Sequence, residues 1–122
     1  MAEISTFTTN NMDNLISGNY PVETIAGTLI TGQNLTRGSV LGKITASGKL
    51  TLCDSTAVDG SEAPYGILME SVDATAADMD CVVYLTGSFN ETQLVFGGTD
   101  TIATHRDALR VLGIFARSQS GQ

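Results

Sequence analysis

Apolar residues in this chain come in short bursts separated by turn formers, with no long amphipathic stripe until near the end. Residues 1–19 are polar and rich in Thr and Asn; Ile4, Phe7, Met12, Leu15 and Ile16 are the only side chains there able to anchor anything. With so little apolar surface to bury, this stretch reads as an extended arm, flexible on its own. Chain character changes at Tyr20-Pro21. "ETIAGTLITG" then reads as a strand closed by Gly32, and "GSVLGKITASGKLTL" as a hairpin turning at Ser47-Gly48 into alternating Leu50 and Leu52. "DSTAVDGSEAP" is a loop with Asp59-Gly60 as its turn. "YGILMESV" and "CVVYLTGSF" are apolar, partly β-branched runs flanked by turn formers, the pattern of buried strands. "QLVF" reads as one more short strand, stopped by Gly97-Gly98.

The period changes once. In "TDTIATHRDALRVLG", Ile102, Leu109 and Leu112 share a helical face with Ala108 beside it, Asp100 is placed to cap the start, and Gly113 to stop it. A helix over about 101–112 is expected, followed by a last strand, "IFA". The fold class is therefore mainly β with one short helix near the C-terminus. The division is an arm over 1–19, a β-rich domain over 20–117 and a polar tail over 118–122.

Composition narrows the function. A chain of 122 residues supports one domain with a modest core. The formal charge of −7 would repel a phosphate backbone, which argues against direct nucleic-acid binding. The charge is also uneven. No Lys or Arg precedes Arg37, and nine acids between Lys49 and Arg106 face no base in sequence. No segment is apolar enough to span a bilayer and no secretory signal is visible, so no membrane partner is expected. Cys53 and Cys81 read as buried thiols.

Candidate chemistry is sparse. Glu70, Asp73, Asp78 and Asp80 crowd one segment, but "DATAADMD" places Ala where a calcium loop needs oxygen ligands and has no central Gly. They read as surface acids. His105, the only histidine, falls beside Arg106 on what reads as the polar side of the helix. "GSVLGKI" has the wrong glycine spacing for a phosphate cradle. Lys43 in "LGKI" is faintly similar to the prosthetic-group lysine of lipoyl domains, yet lies inside an apolar run rather than at a turn tip. No catalytic residue, cofactor site or metal site emerges, and the chain is not expected to be an enzyme.

Across most of its length the chain resembles the lambda-type bacteriophage head decoration (capsid cement) proteins. The matching landmarks are "STFT" in the arm, the strand pair ending in "GKLTL", and "DGSEAPYGIL". "YLTGSFNETQLVF", with Gly87 and Phe89, and the late helix with its short strand complete them. The resemblance implies a compact β-clip-like (β-tulip) domain that sits as homotrimers on the outer surface of the phage head. It further implies binding at three-fold and quasi-three-fold sites, stabilising the shell against packaged DNA. The partner implied is the major capsid (coat) protein, and the site of synthesis the bacterial host cytoplasm. The capsid-binding residues implied are Ile4, Thr6, Phe7 and Thr8, adding as a strand to coat segments. The chain departs from the family pattern at Asn10-Asn11 and Leu15-Ile16, where a Pro-containing stretch is expected. A tail or fibre module of the virion is the nearest alternative, and a lipoyl-like carrier the next.

Overall fold

The computed structural model describes residues 21–117. The arm and the polar tail, with Ile4, Thr6, Phe7 and Thr8, lie outside the described residues. Eight strands and one helix follow in chain order. They are β1 (Glu23–Leu29), β2 (Gln33–Leu35), β3 (Val40–Lys43), β4 (Leu50–Leu52), β5 (Pro64–Leu68), β6 (Val72–Ala74), β7 (Met79–Asn90), α1 (Ile102–Leu112) and β8 (Ile114–Arg117). The main sheet runs β1-β4-β3-β5-β7-β8, and an additional β1–β7 pairing closes the first five strands into a barrel-like ring. β2 and β6 form a separate antiparallel pair. The expectation of a mainly β fold with one late helix holds.

Consecutive residues explain the unbroken apolar runs. Val40, Ile67 and Tyr84 point into one core, which also holds Phe89, Leu109 and Ile114. Their neighbours Leu41, Leu68 and Val83 point into a second, with Leu29, Leu50 and Cys81. Side chains alternate faces along a strand, so β3, β5 and β7 separate two cores and must be apolar on both sides. One core fills the ring; the other lies beneath α1. β7 is twelve residues long because it serves both. Its first part pairs with β1 and β5, and Gly87–Asn90 pairs in parallel with β8.

The hairpin expected at Ser47-Gly48 forms, with Leu41↔Leu52 and Lys43↔Leu50 in register. The helix stops where expected: Gly113 adopts a left-handed φ of 92° and its N–H reaches the carbonyls of Arg110 and Leu109. Three local readings change. "YGILMESV" is two strands, bent at residues 69–71. "QLVF" is no strand: Glu91–Gln93 forms a 3₁₀ turn whose start is held by Asn90 accepting from the Thr92 N–H, and only Val95 bridges, to Ser39. Thr101, not Asp100, occupies the N-cap, and its N–H donates to the Thr104 hydroxyl at 3.1 Å.

Candidate functional site

The described chain starts beside Thr86. Its hydroxyl accepts from the Glu23 N–H at 3.1 Å and donates to the Pro21 carbonyl at 3.0 Å, pinning the root of β1 onto β7. From there β1 runs against β7 through to Leu29↔Met79. Its opposite edge meets β4, among the described residues, only at Leu29↔Leu50. Ile25 on this strand and Val22 just before it are 43% and 42% exposed. An edge with so little strand pairing among the described residues, beside apolar side chains, is suited to association with another chain.

The four acids of residues 70–80 do not converge. Asp73 accepts from the N–H and hydroxyl of Thr75, fixing a turn. Asp78 accepts from the Thr31 N–H at 2.8 Å and pairs with Lys49 at 2.6 Å. These contacts hold both carboxyls below the usual aspartate range, through the Thr75 hydroxyl for Asp73 and the Lys49 ammonium for Asp78. Glu70 and Asp80 instead line an open groove over β1 and β7. Among the described residues no group of three or more His, Cys, Asp or Glu is arranged to hold a metal.

His105 is not on the polar side. It is 4% exposed, stacked on Phe96 with ring centroids 5.3 Å apart, and its Nε2 lies 2.8 Å from Asp100 Oδ2. The periodicity contained this: residue 105 is three beyond Ile102 and four before Leu109, hence on their face. Polarity concealed it. Leu112, expected on that face, is 40% exposed. Cys53 Sγ lies 3.8 Å from the same Nε2. A thiol nucleophile needs a base nitrogen to itself, with the orienting acid on the other nitrogen. Here one nitrogen faces both groups. Burial first, then the nearby carboxylates of Asp100, Asp54 and Glu62, push the thiol up to about 12, so it stays protonated and inert. The cluster is a tie. Asp100 also accepts from the N–H and hydroxyl of Ser55, fastening the loop after β4 to the start of α1.

Lys43 stands exposed at the end of β3, its ammonium 5.2 Å from the centre of the Tyr65 ring rather than at the hairpin tip. No helix among the described residues is long and apolar enough to cross a membrane.

The geometry thus offers an arm root, an open strand edge and exposed apolar side chains, which are features of a binding protein. Compared with known families, residues 5–115 match the model described as Bacteriophage lambda head decoration protein D. Comparison with curated proteins gave no match. The family match covers the described domain almost completely and begins inside the arm, at Ser5. The family's role is structural, decoration of the phage head, and places the protein in the virion in association with the capsid. The chain belongs to the bacteriophage lambda head decoration protein D family.

Proposed function

We propose that the protein is a cement for the phage head, binding the outer surface of the coat lattice as trimers at three-fold and quasi-three-fold sites. There it resists the pressure of packaged DNA. The observation that carries this is the family match over residues 5–115, which takes in both the domain and most of the arm. The work is mechanical rather than catalytic, and many modest contacts act together because each copy is one of a lattice. The arm supplies the grip on the major coat protein. Thr6, Phe7 and Thr8 pair with a coat strand, Ile4 and Phe7 fill apolar pockets, and the β-branched threonines favour the extended backbone. Support comes from the root of β1, where Pro21 and Glu23 are tied to Thr86, so that tension on the arm passes directly into the longest strand.

Residues 118–122 are a tail beyond the domain, and the host cytoplasm is the place of synthesis. The test is to incubate purified protein with decoration-free heads of the phage that encodes it and image them by electron microscopy. Three-fold density on the outside of the shell is the expected result. Density on tails or fibres, or none on heads, would overturn the reading.

A further inference from the structure

Over the outer face of the β1–β7 ladder lies a groove of about 540 Å³. Its floor is small and largely apolar. Ala26 stands opposite Val82 and Thr28 opposite Asp80, while Glu70 and Val72 form one wall. Ala26, Glu70 and Asp80 are exposed and Thr28, Val72 and Val82 half-buried, so the space is a trough open along its length rather than an enclosed cavity. That shape suits an extended chain more than a small molecule.

The charge of the trough identifies what fits it. Neither Glu70 nor Asp80 has an ion-pair partner among the described residues, and four of the chain's six Lys and Arg side chains are engaged elsewhere. Lys49 is paired with Asp78 and Arg106 with Glu91. Lys43 sits over Tyr65. Arg37 donates to the Met69 carbonyl and to the Tyr84 hydroxyl. The trough therefore keeps its negative charge and complements a cationic segment. Residues 1–36 and 118–122 contain no Lys or Arg to fill it. A second copy would also bring its own charge of −7.

We propose that the β1–β7 trough is a second docking site on the head, taking an extended coat-protein segment in which Lys or Arg flanks a small apolar side chain. This rests on the head-binding reading above. Position supports it: Thr28, on β1, lies only seven residues beyond Pro21, roughly 20 Å from where the described chain begins. One coat subunit is thus within reach of both. The cation pairs with Glu70 and Asp80, and its apolar neighbour rests on Ala26 and Val82.

The experiment measures binding to decoration-free heads of the encoding phage across a salt series. It compares wild type, Glu70→Gln with Asp80→Asn, and Ala26→Leu, which fills the trough without altering charge. Asp107→Asn, on the exposed face of α1, is the control. The expected result is binding weakened about tenfold by the double variant, with a shallower salt dependence, because removing interface charges acts through screened attraction. Ala26→Leu should weaken binding with the salt dependence kept, and Asp107→Asn should match wild type. Melting curves should superimpose, since the altered side chains are exposed. Wild-type binding that the double variant and Ala26→Leu leave unchanged would overturn the trough alone. Failure of wild type to bind heads would overturn the cement reading with it. A change in self-association of the free double variant would assign the trough to a second copy instead.

Discussion

Asp100 collects three contacts on one carboxylate: the Ser55 N–H at 2.7 Å, the Ser55 hydroxyl at 2.6 Å and His105 at 2.8 Å. The Ser55 hydroxyl, then His105, hold its carboxyl below the usual aspartate range. Asp59 and Asp73 are lowered in the same way by Ser61 and Thr75. A carboxyl whose pKa is depressed on folding stabilises the native state fully above its unfolded value, and that stabilisation is lost as pH falls through the folded value. Melting temperature should therefore hold steady down to about pH 5 and drop steeply between about pH 4 and about pH 2. Asp100→Asn should melt lower at neutral pH and lose part of that acid sensitivity; equal acid slopes for the two proteins would count against the tie. Two glycines mark a second constraint. Gly60 has φ 106° and a Cβ there would meet Thr45, while a Cβ on Gly42 would press into the backbone of Ser61. Alanine at either position should destabilise by ~1–3 kcal/mol, read as a lower denaturant midpoint.

Among the elements, β7 carries most of the architecture, since it closes the ring with β1, pairs with β5 and ends against β8. Phe89, near its end, is fully buried and lies 5.3 Å from the Tyr84 ring. Phe89→Ala should cost about 3–5 kcal/mol by chemical denaturation, whereas Val58→Ala, on a loop residue 95% exposed, should be neutral. The opposite outcome is expected for the arm. Removing residues 2–19 should leave the melting curve unchanged while abolishing protection of heads against heat. Phe7→Ala should only weaken binding, since burying one aromatic contributes about 2–3 kcal/mol. A truncated chain that protects heads as well as the full chain would remove the arm from the mechanism.

For the whole molecule, charge and exposed apolar surface act together. Three copies would carry 3 × −7 = −21, a charge that would keep decorated heads dispersed and oppose association unless apolar contact outweighs it. Exposed apolar side chains are available for such contact at Val22, Ile25, Met79, Val95, Val111 and Leu112. Reconstruction of decorated heads should show trimers in contact about three-fold axes. Single copies scattered away from those axes would contradict trimer formation.

Local order was legible in the sequence wherever neighbouring residues alone determine it. Ser47-Gly48 sets its hairpin because turn chemistry is local, and Gly113 ends α1 because it accepts a left-handed φ. The apolar runs at residues 66–68 and 81–85 signalled buried strands. The family was visible through the order of its landmarks. What only the tertiary structure decided depends on residues far apart in the chain. Ring closure joins β1 to β7 across fifty or more residues, and the same pairing makes the trough by bringing Ala26 and Thr28 to Val82 and Asp80. It also parted four neighbouring acids, giving Asp73 and Asp78 to turns and pairs and leaving Glu70 and Asp80 to line the trough. Asp100, which by spacing should cap α1, was drawn instead to Ser55, forty-five residues away, and His105 was buried to meet it. Sequence carries the preferences of each segment, but a polar group's partner is set by which segments the fold brings within hydrogen-bonding distance.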